Sequence, residues 1–300
     1  MATRYSVATG NWNATSTWAT SSGGSSGASV PATGDRAIIE GGFTVTLTGD
    51  TTTGGCDIDG GGSAGTLVGG GYTLTCDGDG AATTFDHDGN ISGHLDVLLN
   101  GAADNTSRNV DLGGGGTQIR NLTCNNANTT WTLINNAVSL TGNLTITAGT
   151  LDTGSDLALT VAGDVSVTGT LTGNASAISM KSIDIASGGT YTATSGTTTI
   201  TGVGGSDYPF KNHTSGNFVH SSGTVTFSSS AYKNFDAGGD PFYNFISTGT
   251  SEFRSQRAFT VANDFTISSS GSGYFRPNGN AFTVTAVSYT HLTLPTILRV

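Results

Sequence analysis

Val138-Ser139-Leu140-Thr141-Gly142-Asn143-Leu144-Thr145-Ile146 decides the reading of this chain, because the pattern returns. It reappears as Leu159-Thr160-Val161-Ala162-Gly163-Asp164-Val165-Ser166-Val167 and as Phe259-Thr260-Val261-Ala262-Asn263-Asp264-Phe265-Thr266-Ile267. Apolar residues alternate with Ser or Thr on each side of a small-residue pair, which is the period-2 signature of a strand. Gly142-Asn143 and Asn263-Asp264 interrupt the alternation, and such residues tolerate the backbone of a corner. Strand, corner and strand recurring about every twenty residues is the signature of a solenoid whose turns bury one another's apolar faces. The fold predicted is all-β: a right-handed parallel β-helix, or β-solenoid, with about 20–22 residues per turn.

Composition agrees. The 300 residues include 46 Gly, 35% are hydrophobic and only 11% are charged. Gly/Ser/Thr richness alone could mean disorder, but disordered chains lack these β-branched and aromatic residues in strand alternation. Glu40 and Glu252 are the only glutamates, so the acids are mostly Asp, a turn residue, and helix is expected to be nearly absent. A net charge of -10 argues against nucleic acid and anionic membrane as partners, since nothing would neutralise phosphate. No apolar run is long enough to span a bilayer as a helix.

Three regions follow. Residues 1–34, with Trp12, Trp18 and a Gly/Ser loop, read as an N-terminal cap over the open end of the core, although exposed Trp rings could instead stack on sugars. Residues 35–285 read as the solenoid. At about 4.8 Å per turn, about twelve turns would make a rod about 55–60 Å long. Gly204–His220, containing Pro209, reads as a loop leaving the rod, and Tyr232–Phe245 as an irregular aromatic patch. Residues 286–300 form the third region and break the composition.

Several side-chain groups are candidates for chemistry. Cys56-Asp57-Ile58-Asp59-Gly60 recurs twenty residues later as Cys76-Asp77-Gly78-Asp79-Gly80. A twenty-residue turn would stack Asp57 on Asp77, Asp59 on Asp79 and Cys56 on Cys76. With Asp86 and Asp88 close by, these carboxylates make a candidate Ca²⁺ site, since calcium takes six to eight oxygen ligands. Solvated turn aspartates are the competing reading, and no EF-hand loop is present. Stacked Cys56 and Cys76 are expected as buried thiols. His87 and His94 lack paired Cys at zinc spacing. Tyr208, Phe210, Phe235, Phe242, Tyr243 and Phe245 are the candidate glycan-contacting rings, because sugar sites use aromatic faces beside polar groups. No G-x-S-x-G nucleophile elbow, which needs a strand-to-helix turn, is read in this helix-poor chain; H-E-x-x-H does not occur, and Gly113-Gly114-Gly115-Gly116 lacks the Lys-Ser/Thr of a phosphate loop. The chain is therefore read as non-catalytic.

Ala2-Thr3-Arg4-Tyr5, Gly10-Asn11-Trp12, Trp18, Gly27-Ala28-Ser29-Val30-Pro31 and Gly34-Asp35-Arg36-Ala37-Ile38-Ile39 resemble the start of β-solenoid virion proteins of tailed bacteriophages. The later repeats are similar to phage fibre and tailspike shafts and to bacterial filamentous adhesins. The resemblance implies a fibre, decoration or receptor-binding shaft, partnered by other virion proteins or a host surface glycan, with homotrimer assembly as a further expectation. A start without an apolar leader predicts assembly in the host cytoplasm. A secreted β-helical adhesin, at the cell surface, is the alternative, and a polysaccharide-degrading tailspike the third reading. Ala286-Val287-Ser288-Tyr289-Thr290-His291-Leu292-Thr293-Leu294-Pro295-Thr296 resembles a translated sequencing adapter. That resemblance implies a non-native tail on a gene cut inside a repeat.

Overall fold

The computed structural model of the chain describes residues 1–101, 107–113, 118–204, 208–229, 233–249, 252–268 and 275–285. The proposed tail, residues 286–300, lies outside the described residues. Among the described residues the regular elements are β-strands joined by turns and loops, apart from one 3₁₀ turn at Thr15–Thr17. Thr3–Ser6 pairs antiparallel with Trp18–Ala19, and the strand pairings of the stack are parallel. The result is a β-solenoid of about 10 turns.

Each turn presents three strands, which stack into three faces. The first face runs through Thr3–Ser6, Arg36–Ile39, Gly55–Ile58, Thr83–His87 and Ser107–Val110, then through residues 130–133 and 150–152, Thr170–Thr172, Thr190–Thr192 and Asn217–Val219. On the third face Thr51–Thr53, Thr73–Cys76, Leu95–Leu99 and residues 119–124, 144–146, 164–167 and 183–185 follow one another to Phe210–Asn212, and a parallel bridge from Lys211 to Asp236 carries the face on to Lys233–Phe235 and Phe253–Ser255. The second face includes Val138–Leu140, Thr197–Ile200, Thr224–Phe227 and Asn244–Ser247.

Alternation explains the burial. Leu140, Leu144, Val161 and Val165 each expose 1% or less and belong to one continuous core. Val138 lies over Leu159 and Leu144 over Val165, so the first two copies of the repeat stack as the pattern requires. Each such fully buried side chain contributes about 1.5–3 kcal/mol of transfer free energy. Corners need special backbone: Gly149 has φ +78°, and a Cβ there would strike the Asn126 carbonyl and the Trp131 ring. Asn135, Asp156 and Asn174 take left-handed φ values at other corners, as short polar side chains can.

Three expectations need correction. The third copy of the repeat is out of phase. Phe259–Val261 pairs with Phe282–Val284, while Phe265–Ile267 pairs with Phe245–Ser247 on the second face. Turns of twenty residues pass through Thr130, Thr150, Thr170 and Thr190, but the next first-face strand begins only at Asn217. Longer turns also leave fewer of them than a uniform period gives. Secondly, residues 208–220 of the expected Gly204–His220 loop stay on the rod. Phe210–Asn212 pairs with Ile183–Ile185, and Asn217–Val219 with Thr190–Thr192. Pro209 sits just before its strand, where its missing N–H costs nothing and its carbonyl accepts from Ile183. Thirdly, within Tyr232–Phe245, Lys233–Phe235 is a strand in register with Phe253–Ser255, and Asn244 opens another.

Trp12 and Trp18 lie in the core, edge to face at 5.1 Å, with the Trp18 indole N–H donating to the Trp12 carbonyl at 2.7 Å. Neither ring is available to stack on a sugar.

Candidate functional site

The two Cys-Asp-x-Asp-Gly segments fall on different faces. Cys56 lies in register with Ala37 and Phe85 on the first face, whereas Cys76 lies over Thr53 and under Leu99 on the third. Twenty residues is therefore not one turn here, and Asp57 does not stack on Asp77 nor Asp59 on Asp79. The loop between Ile58 and Thr66 lengthens the turn and carries the second segment to another face. Both cysteines and Cys124 are buried free thiols. Burial pushes the Cys56 thiol up to about 12.

Asp77 and Asp79 have structural partners. Asp77 accepts from the Gly34 N–H at 3.1 Å, and Asp79 accepts from Arg36 and Ala81 at 2.9 Å each. Arg36 reaches Asp57 as well, at 3.7 Å. Burial pulls the Arg36 guanidinium down, but the Asp79 hydrogen bond and charge outweigh it and hold the pKa above its usual value.

A different acidic cluster forms on the same edge. Asp57 lies in register with Asp86, and Asp86, Asp88 and Asp111 bring carboxylate oxygens within 4.8 Å of one another. Burial is the main cause that raises Asp57 to about 6, partly opposed by Arg36 and reinforced by Asp86. Asp86 is raised chiefly by burial and then by Asp88, and Asp59 by burial and then by Glu40. One Asp86 oxygen is buried without a hydrogen-bond partner. Asp111, fully buried, is held by the Gly113 N–H at 3.0 Å and the Asn135 amide at 2.7 Å. Of the candidate calcium residues, then, only Asp86 and Asp88 converge on one point, joined by Asp111. Sequence reasoning missed Asp111, since its contact depends on the length of the preceding turn. Three carboxylates suit a hard cation but supply only part of a calcium shell.

Next to this cluster stands His87, fully buried with neither ring nitrogen making a well-formed hydrogen bond. Burial lowers its pKa, against the raising influence of the Leu112 backbone and of Asp111 and Asp88.

The aromatic candidates divide. Phe210, Phe235, Phe242 and Phe245 have no exposed surface. Phe235 stacks on Phe253 at 4.6 Å, Phe210 meets Phe242 at 5.1 Å, and Phe245 meets Phe227 at 4.9 Å. These rings fill the solenoid interior, where the strand alternation points them, and no glycan can reach them. Tyr208 and Tyr243 remain partly exposed. Tyr208 lies 5.9 Å beneath the Lys211 ammonium, and Tyr243 packs beside His220 at 5.4 Å.

An open groove of about 370 Å³ crosses the third face, lined by Thr73, Asp96, Leu98, Asn121, Thr123 and Asn143 among others. Its polar groups are largely engaged. Asp96 accepts from Arg120 at 2.7 and 2.9 Å and from the Asn121 amide at 3.0 Å. Asn121 accepts from the Asn143 N–H at 2.8 Å, and Asn143 from the Asp164 N–H at 2.9 Å. Burial favours the neutral acid at Asp96, but the Arg120 and Asn121 hydrogen bonds prevail and hold its pKa below the ordinary value.

No family model, curated protein or solved structure matches this chain. No helix among the described residues is long and apolar enough to cross a membrane.

Proposed function

We propose that the chain is a non-catalytic shaft of a tailed-phage virion, a fibre, decoration or receptor-binding component that projects and binds. The observation that carries the reading is the parallel stack itself, a rod whose in-register strands turn polar Ser, Thr and Asn side chains outward along its length. A rod of this kind transmits position and offers repeated surface, which are the tasks of a shaft. The resemblance of the first forty residues to phage β-solenoid proteins supports the same assignment. Host glycan would meet the two partly exposed rings, Tyr243 beside His220 and Tyr208 beside Lys211.

A second reading rests on Asp57 and Asp86. Their backbones are in register on neighbouring strands, about 4.8 Å apart, which sets the two carboxyls side by side on one edge, and a glycosidase needs two carboxyl groups. Burial raises the pKa of each, the property that one of the two, the general acid, must have. That pair favours a polysaccharide-cleaving tailspike.

Immunogold labelling of intact phage particles with antibody against the purified chain tests the main proposal. Labelled tails support a virion shaft, and label confined to bacterial cell surfaces overturns it in favour of an adhesin. Capsule or lipopolysaccharide incubated with the chain should release no oligosaccharide. Release that is abolished by Asp86→Asn establishes the second reading.

A further inference from the structure

Four consecutive rungs of the first face are separated by three turns of equal length and share their outward chemistry at all but one position. Thr130-Trp131-Thr132, Thr150-Leu151-Asp152, Thr170-Leu171-Thr172 and Thr190-Tyr191-Thr192 stack residue on residue, without a bulge inside these three-residue rungs. Trp131, Leu151, Leu171 and Tyr191 point inward and are fully buried, so they anchor the rungs from behind. The flanking positions point outward as two parallel ranks, all partly exposed. We propose that this double threonine rank is an ice-binding surface, whose ligand is the ordered oxygen lattice of crystalline water. The proposal does not depend on the virion reading.

Several observations carry it. Neighbouring rungs repeat at about 4.8 Å and the two ranks stand about 6.6 Å apart, which makes a two-dimensional grid of hydroxyls and methyls. Oxygen repeats on the faces of ordinary ice are comparable in both directions. The Thr hydroxyls of these ranks are free of protein hydrogen bonds, unlike those of Thr53, Thr153, Thr194 and Thr198, which are consumed within the fold. Thr is β-branched and stiff at χ1, so little rotamer freedom is lost when a lattice forms on it. Liquid water satisfies a single hydroxyl equally well, and only a rigid array gains from ordered water.

One of the eight positions departs from Thr. Asp152 is turned into the corner, where it accepts from the Gly154 N–H and the Asn174 amide at 2.7 Å each. The other faces do not sustain the pattern over four rungs. The third carries the Asp96–Arg120 and Asp184–Lys211 ion pairs; the second has a single rank through Ser139, Thr160, Ser179 and Thr199 and a double rank for two rungs only, Thr197/Thr199 and Thr224/Thr226, where the Thr224 hydroxyl already accepts from the Asn244 amide.

Ice-affinity partitioning and single-crystal growth in a nanolitre osmometer test the proposal on the full chain. The protein should enrich in the ice fraction and produce faceted crystals held below their melting point. Thr170→Tyr and Thr190→Tyr, each placing a bulky ring on the grid, should lose most of both effects. Thr160→Tyr on the second face should keep them. Circular dichroism matching the parent's shows that each variant folds. Growth indistinguishable from an albumin control, or equal loss in Thr160→Tyr, overturns the assignment. So does binding to crystalline chitin or cellulose without any effect on ice, and the partitioning of the unmodified chain decides the matter even where a variant misfolds.

Discussion

Tyr191→Phe removes one oxygen from the interior, and its consequence can be worked from a single hydrogen bond. The Tyr191 hydroxyl lies 2.7 Å from the Thr198 hydroxyl, and both residues have no exposed surface. This bond crosses the core between the first and second faces. Deleting the phenol oxygen leaves the Thr198 hydroxyl buried and unpaired, at a cost of about 1–3 kcal/mol. Thr198→Val strands the Tyr191 hydroxyl at a similar cost, since Tyr191 then has no other partner in range. The double variant removes both groups and keeps their shapes, so it should cost much less than the two singles added together. Urea titration of all four proteins, followed by circular dichroism, gives the coupling directly. The slope m should stay constant, because a solenoid that begins to unfold turn by turn would flatten it. Additive losses in the double variant would refute the reasoning, as they would mean that the two hydroxyls do not meet.

Three further outcomes follow from buried groups. Asp57→Asn should stabilise the chain at pH 7: the folded-state carboxyl sits near 6, above its ordinary value, so its ionised form opposes folding above that pH. The gain should fade as pH falls from about 6 to below 4, where the carboxyl is protonated in both states, and urea midpoints across that range check it. His87→Leu should add about 1 kcal/mol by removing an unpaired buried imidazole. It should also abolish a loss of stability on acidification through about 6.5, because a histidine with a lowered folded pKa must be neutral to stay buried. Phe245→Ala should cost about 3–5 kcal/mol by opening a cavity among Phe227, Phe235, Phe242 and Phe253, while Tyr243→Ala should leave the thermal midpoint nearly unchanged and lower any glycan affinity. Differential scanning calorimetry and glycan-array binding separate the two variants.

The parallel β-solenoid was legible in the linear sequence because its cause is local. Alternation of Val138, Leu140, Leu144 and Ile146 with Ser and Thr dictates which side of each strand faces inward, and the stacking of Val138 on Leu159 needs only a constant local period. The same alternation points Phe210, Phe235, Phe242 and Phe245 inward, a consequence obscured by treating their segments as irregular. Register over longer distances is another matter. It accumulates the length of every turn, and turns of unequal length put Cys56 and Cys76 on different faces, shift the third repeat by one face, and replace the expected Asp57–Asp77 stack with Asp57 over Asp86. Only the folded stack could therefore bring Asp111 to Asp86 and Asp88, tie Asp79 to Arg36, and align two ranks of threonine over four rungs. Side-chain direction along a strand is set by neighbours one and two residues away, whereas contact between strands is set by the sum of everything between them.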